Sequence, residues 1–293
     1  MKQPYYNKKG DKMNEKIVAD LHTHTENSDG TYSVENLVRL AKEKELKVIA
    51  ITDHDTINGL FQTKELSEKY KIEIINGIEM SCNLNGKDVH ILGYGVNIED
   101  SNFKKELIRI KKIREERNDK IIEKLNKLKL NVSLEELKEI AKGDIISKAH
   151  FAELMMNKGY VYSKREAFKN YLGKAGLAFV EKKNYEPIDA VKMLKKNGAF
   201  ISLAHPKLVT ENDNELENLI KELKKEGLEG LEVNYYSFNK NDKKRYNKIA
   251  KKYNLIITGG SDFHGKNRVD VSLGESGLNE KEYIEFKKSL KKN

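Results

Sequence analysis

The sequence predicts an α/β fold: a parallel, barrel-like sheet that carries an all-helical insertion. Three observations lead there. From residue 17, short apolar runs alternate with amphipathic stretches of helical period, the pattern of β/α units. Between residues 102 and 186 helical patterns follow one another with no convincing strand. From Pro187 the alternation resumes. The chain therefore divides into a polar N-terminal tail (1–16), a barrel body in two segments (17–101 and 187–293) and a helical insertion (102–186).

The elements follow in order. Ile17–Leu21 reads as the first strand, and Ser33 caps a helix whose apolar face is Val34, Leu37, Val38 and Ala41. Lys47–Thr52 is a buried strand, Gly59–Tyr70 a helix and Ile72–Ile78 the third strand. The turn signal Asn85-Gly86 leads into a fourth strand, Asp88–Gly95. The insertion opens with a long helix over about 103–129. A second helix starts at Ser133, with Glu136 completing a capping box. Two more cover about 147–158 and 163–172. Behind it, a helix over 188–196 ends at Asn197-Gly198. Strands at 199–204, 228–234 and 255–259 are separated by helices over 214–226 and 242–253. The tail 1–16 is expected to be loosely ordered.

Composition narrows the class. No apolar run approaches the roughly 20 residues of a membrane-spanning helix. Met1–Lys16 lacks the apolar centre of a secretion signal. A single cysteine, Cys82, excludes an internal disulfide and disfavours a cysteine-based zinc site. These features point to a soluble cytoplasmic protein without a membrane partner. The net charge of +9 is unevenly placed: residues 102–186 hold 21 basic and 13 acidic residues, while the barrel segments hold 29 and 31. A basic insertion on a nearly neutral body is either a lysine-rich surface or a cover over an anionic ligand.

The seven histidines are His22, His24, His54, His90, His150, His205 and His264. Five stand at or just beyond strand C-termini, where β/α barrels gather their catalytic groups. His22-Thr23-His24 in an extended chain sets both imidazoles on one side. Asp29 follows in the same loop, His54 ends the second strand, Glu79 stands just past the third, and His90 lies within the fourth. Ala204-His205-Pro206 and Ser261-Asp262-Phe263-His264 end two later strands. Taken singly, each is an ordinary polar loop residue. Together they place nine imidazoles and carboxylates at one face, a donor set that suits two or three ions of Zn²⁺, Mn²⁺ or Fe.

Those motifs, in that order, resemble the PHP family, named for polymerase and histidinol phosphatase domains. The resemblance runs from residue 17 to about 275. It implies a distorted (β/α)7 barrel with a trinuclear metal site. By that resemblance His22 and His24 share one metal with Glu79 and Asp262. Glu79 bridges to a second metal held by His90 and His205. Asp29, His54 and His264 hold the third. Asp20, Asp53 and Asp55 are expected to orient the imidazoles.

The loop Ser28-Asp29-Gly30-Thr31, the insertion and Ala149-His150-Phe151-Ala152 resemble the nucleotide phosphoesterase branch. That branch includes AMP phosphoesterases, 3′,5′-nucleotide bisphosphatases and a 5′-to-3′ exoribonuclease of short RNAs. Its Arg-x-His-Phe-Ala motif has Lys148 in first position here, and Gly-Lys-Gly-x-Pro-Ala-Tyr reads Gly173-Lys174-Ala175-Gly176-Leu177-Ala178-Phe179. The resemblance implies hydrolysis of a phosphomonoester by a metal-bound water. His205 or His264 would assist proton transfer, and Lys148, His150 and Lys174 would meet the substrate's further charge. Two rivals stand beside it. Histidinol-phosphate hydrolysis is disfavoured because those phosphatases usually have histidine at the position of Asp29. A metal-free nucleic-acid module is disfavoured by the complete donor set.

Overall fold

A computed structural model describes residues 16–181 and 185–290. The tail, Lys16 apart, and residues 182–184 of the insertion lie outside them. The chain begins with β1 (Ile17–Asp20), α1 (Val34–Glu43), β2 (Val48–Ile51) and α2 (Thr63–Tyr70), the last preceded by a 3₁₀ turn at Asn58–Gln62. Ser33 accepts from the Asn36 amide at the start of α1, and its four expected apolar residues are all buried.

The long strand β3 (Glu73–Leu84) runs through the expected end at Ile78 and turns back into β4 (Lys87–Tyr94). Its first half pairs parallel with β2, Ile51 opposite Asn76. From Gly77 onward it pairs antiparallel with β4, Ser81 opposite His90. Asn85 and Gly86 adopt φ of 52° and 78° between the two strands. A two-residue turn with both residues left-handed makes a hairpin and leaves no room for a crossover helix. The sheet is therefore mixed where an all-parallel one was expected, and Glu79 lies inside a strand instead of beyond it.

Four helices follow: α3 (Ser101–Lys127), α4 (Leu134–Ile140), α5 (Lys148–Asn157) and α6 (Lys164–Ala167), the last running into a wider helical turn at Phe168–Leu172. The capping box of Ser133 and Glu136 is formed. These helices pack round a core of their own, with Ile121, Leu125, Leu137, Phe151, Met155 and Leu172 buried.

The barrel resumes with α7 (Pro187–Asn197), β5 (Phe200–Leu203), α8 (Pro206–Val209), α9 (Asp213–Glu226), β6 (Gly230–Tyr235), α10 (Lys240–Lys252) and β7 (Ile256–Gly260). A two-residue strand, β8 (Leu278–Asn279), and a last helix, α11 (Glu280–Leu290), complete it. The sheet order is β7-β6-β5-β4-β3-β2-β1-β8. Above β1 the sheet closes on itself, because the Leu21 amide donates to the Gly259 carbonyl (3.1 Å) and the Asp262 amide to the His22 carbonyl (2.8 Å). Gly260 permits this closure. A Cβ there would stand 2.3 Å from the Cβ of His22, inside any allowed contact.

Alternation along the strands builds two cores. Val48, Ala50, Leu92, Tyr94 and Phe200 point inward and meet Tyr283 and Phe286 of α11, which plug one end of the barrel. Ile49, Ile51, Ile91, Ile201, Leu231 and Val233 point outward under the helices. The opposite end of the barrel holds the histidines. No helix among the described residues is long and apolar enough to cross a membrane.

Candidate metal centre

Backbone pairing aims the first two histidines. Beyond β1, Thr23 turns away from the barrel axis and donates its hydroxyl to the Ala50 carbonyl (2.6 Å), while the Thr52 amide donates to the Thr23 carbonyl. With Thr23 pinned outward, His22 and His24 face inward with ring centroids 5.2 Å apart. Asp53 accepts from the Thr25 amide and hydroxyl and from the Ser28 hydroxyl, bracing the loop that ends in Asp29. Asp20 accepts from the Ser261 amide and hydroxyl and from the Gly274 amide, tying β1 to the segment that carries Asp262. Asp262 itself has φ of 55° and His205 φ of 25°. Left-handed backbone costs a non-glycine residue of order 1 kcal/mol or more, and here it swings both side chains back over the barrel mouth.

Glu79 sits at the centre and is 1% exposed. Its Oε1 lies 2.9 Å from His90 Nδ1, 3.0 Å from His205 Nε2 and 3.3 Å from His22 Nε2. Its Oε2 lies 3.1 Å from His54 Nδ1 and 3.2 Å from His24 Nε2. Asp262 Oδ1 stands 3.2 Å from His24 Nε2 and 3.5 Å from His22 Nε2. On the far side, Asp29 Oδ1 lies 3.2 Å from His264 Nε2 and 4.0 Å from His54 Nε2. Three groups have donor atoms mutually within 4.8 Å: His22, His24, Glu79 and Asp262; His54, Glu79 and His90; and His24, Asp29, His54 and His264. These groups hold eight of the nine metal candidates read from the sequence, and the ninth, His205, joins them through Glu79 Oε1.

The electrostatics suit a bound cation. Burial disfavours the charged form of His24, yet the Asp262 and Glu79 carboxylates outweigh it and hold the imidazole up at about 9. Burial dominates at His54 and pushes it down to about 3. Burial also works against ionised Glu79 and Asp262, but the surrounding imidazoles, joined by Arg268 at Asp262, hold both well below the usual carboxylate range. Several buried atoms have no hydrogen-bond partner among the described residues: His22 Nε2, both ring nitrogens of His24, Asp29 Oδ1 and His205 Nδ1. Buried polar atoms are normally satisfied. Divalent cations bound by imidazole and carboxylate would satisfy these, so the residues present fit the group.

Several residues that shape the site escaped the sequence reading. Glu232 of β6 is fully buried, lies 3.0 Å from His22 Nδ1 and accepts from the His205 amide (2.7 Å). It orients an imidazole, the task expected of Asp20, Asp53 and Asp55. Asp20 and Asp53 spend their bonds on the backbone amides and hydroxyls named above, because they sit where the loops fold back. Asp55 accepts from the Ser81 amide (2.7 Å) and pairs with Arg114 of α3. Tyr235 donates its hydroxyl to Asp262 Oδ2 (2.8 Å), and Arg268 pairs with the same carboxylate. An acid inside the apolar run Gly230-Leu231-Glu232-Val233 was the available signal for Glu232.

The insertion reaches over this mouth. His150, buried on α5, accepts from the Ser147 amide at Nδ1 (3.1 Å) and feels the charge of Asp29. Lys148 lies over the Phe179 ring at 4.9 Å. Lys174 is exposed, its ammonium 3.2 Å from where a Cβ of Gly86 would stand, at the tip of the β3–β4 hairpin and not among the histidines. Lys164 of α6 bonds Asn267, whose amide donates to the Asp29 carbonyl (2.7 Å).

A family model described as PHP domain matches residues 20–266. The chain belongs to the PHP domain family. A 5′-3′ exoribonuclease of Haemophilus influenzae is 31% identical to this PHP protein over 84% of the chain and 89% of that relative. A 3′,5′-nucleoside bisphosphate phosphatase of Chromobacterium violaceum is 28% identical over 88% and 90%. A solved structure from C. violaceum, described as an amidohydrolase with bound sulfate and no metal, superposes with a TM-score of 0.84 at 25% identity, covering 92% of this chain and 96% of that one. The protein is a metal-dependent phosphoesterase of the PHP family, and its eight described strands form a nearly closed barrel.

Proposed function

We propose that the protein hydrolyses phosphomonoesters of nucleotides, with 3′,5′-bisphosphates and short 5′-phosphorylated RNA as the preferred class. The observation that carries this reading is the convergence of eight imidazole and carboxylate side chains, with His205 joined to them through Glu79, beneath a basic insertion. His22, His24, Glu79 and Asp262 would hold one divalent ion, Glu79, His90 and His205 a second, and Asp29, His54 and His264 a third. When bound, such ions offset charge on phosphate oxygens and lower the pKa of a water toward neutrality.

The chain's own residues do the rest. Glu232 accepts from Nδ1 of His22 and so leaves its Nε2 lone pair facing the site. Tyr235 and Arg268 fix Asp262. The Asp262 carbonyl, 2.8 Å from His264 Nδ1, directs Nε2 of that ring toward Asp29. His205 or His264 would assist proton transfer to the leaving oxygen. His150, with Nδ1 occupied by the Ser147 amide, presents Nε2 to the substrate, and Lys148 adds charge beside it. Lys174 would meet only the far end of a longer substrate. Relatives named as a nucleoside bisphosphate phosphatase and an exoribonuclease support this substrate class. Histidinol phosphate is the weaker alternative.

The test is a substrate panel on metal-loaded enzyme at low and high salt. Adenosine 3′,5′-bisphosphate and a short 5′-phosphorylated RNA should exceed p-nitrophenyl phosphate and histidinol phosphate in kcat/KM. That advantage should shrink as salt rises and screens the partly exposed lysines. Equal turnover of all four at low salt would reject the reading.

A further inference from the structure

Beside the metal cluster stands a cation without its anion. Arg117, on the inner face of α3, is 6% exposed. Among the described residues no carboxylate lies within 4.0 Å of it. Its Nε has no hydrogen-bond partner there, and its one described bond is a 3.3 Å contact to its neighbour Asn118. One turn earlier, Arg114 pairs with Asp55 and reaches Ser81 Oγ at 3.3 Å. Asp55 is thus taken by Arg114 and acts on Arg117 only from farther off, as does Asp88. Burial, then Arg114, lowers the Arg117 guanidinium to about 10, which leaves it cationic at neutral pH. A buried charge without a counter-ion at bonding distance is unfavourable.

The place of this cation is specific. Asp55, Ser81, Ile110, Arg114, Arg117 and Tyr185 line a cleft at this point. Ser81 is the link to the metal face, for its Oγ lies 3.2 Å from His54 Nδ1. A planar guanidinium fork binds phosphate oxygens in pairs, and partial burial strengthens that contact. We propose that Arg117, with Arg114 set beside it by Asp55, forms an anion subsite that holds a second phosphate of the substrate while the first lies at the metal cluster. This rests on the reading of the substrate as a nucleotide with more than one phosphate, and it names the residues that select for it.

The test measures equilibrium binding of adenosine 3′,5′-bisphosphate and AMP to the chelator-treated full-length protein, together with KM and kcat for the bisphosphate on metal-loaded enzyme. Wild type, Arg117→Met and Arg117→Lys are compared, with a melting curve for each. Methionine fills the same buried volume without the charge. The expected result is a tenfold or greater loss of bisphosphate affinity in Arg117→Met, seen in KM more than kcat. The ratio of bisphosphate to AMP affinity falls toward one, and Arg117→Lys retains part of it. The melting temperature of Arg117→Met should hold or rise, because an unpaired buried charge has been removed. A purely structural arginine would do the reverse. The proposal is overturned if Arg117→Met keeps the wild-type ratio, or if it loses melting temperature and weakens both nucleotides equally. The substrate reading itself fails, separately, if wild type shows no preference for the bisphosphate while still hydrolysing monophosphates with metal.

Discussion

Glu232→Gln is the substitution whose consequence can be worked out most completely. The carboxylate is fully buried and spends both oxygens: Oε1 on His22 Nδ1 and Oε2 on the His205 amide. Glutamine has nearly the same shape but one oxygen and one NH₂. If its oxygen faces His22, its NH₂ confronts the His205 N–H, and two donors meet. If it is turned over, the His205 amide is satisfied and His22 Nδ1 loses its acceptor. One buried hydrogen bond is therefore lost, at a cost of about 1–3 kcal/mol, unless His22 moves its proton to Nε2 and accepts the glutamine NH₂ at Nδ1. That proton would then stand on the atom that faces Glu79 and Asp262. Loss of such outer partners of metal-binding histidines typically costs about 10–100-fold in metal affinity or activity. Titration of chelated protein with Mn²⁺ or Zn²⁺, followed by kcat/KM on the reloaded enzyme, should show a loss in that range. Glu232→Gln protein that binds metal and turns over substrate like wild type would refute the assignment of Glu232 as the residue that orients His22.

Two further predictions concern the cluster and its cover. In chelated protein, His24 has its pKa raised from 6.5 to about 9, so the stability it contributes is complete below pH 6.5 and is lost as pH rises through about 9. The loss should be on the order of 3 kcal/mol, at about 1.4 kcal/mol per pH decade. Metal must displace that proton, so the rise in melting temperature on adding metal should grow over the same window; a flat profile for the chelated protein would contradict it. Lys148→Ala and His150→Ala should each raise KM several-fold while metal content stays at the wild-type level. A fall in metal content with His150→Ala would make His150 a ligand instead.

Much of the site was legible because its residues obey strand geometry. His22-Thr23-His24 reads as two imidazoles on one side, and each later histidine or acid pair follows an apolar run. The hairpin was half visible: Asn85-Gly86 gave the turn, but not that β3 would run through Glu79 to reach it. A residue in mid-strand and one just past a strand look alike when the run has no break. Glu232 and Arg117 were hidden for a related reason. Each is one charge in a segment whose burial is decided by tertiary packing, and α3 carries many charges that do face solvent. Strand β8 is two residues long, too short for any alternation, and α11 offers only Tyr283 and Phe286 as buried anchors among lysines and glutamates.

The central claim is that Glu79 gathers divalent ions at the barrel mouth. Elemental analysis of protein purified without chelator tests it most directly, with wild type and Glu79→Ala measured side by side and the fold of each checked by circular dichroism. The account predicts two or three divalent ions per wild-type chain. It predicts at most one in folded Glu79→Ala, with phosphoesterase activity reduced to background, because Glu79 belongs to two of the three donor groups. Folded Glu79→Ala protein that keeps its full metal content and its activity would contradict it.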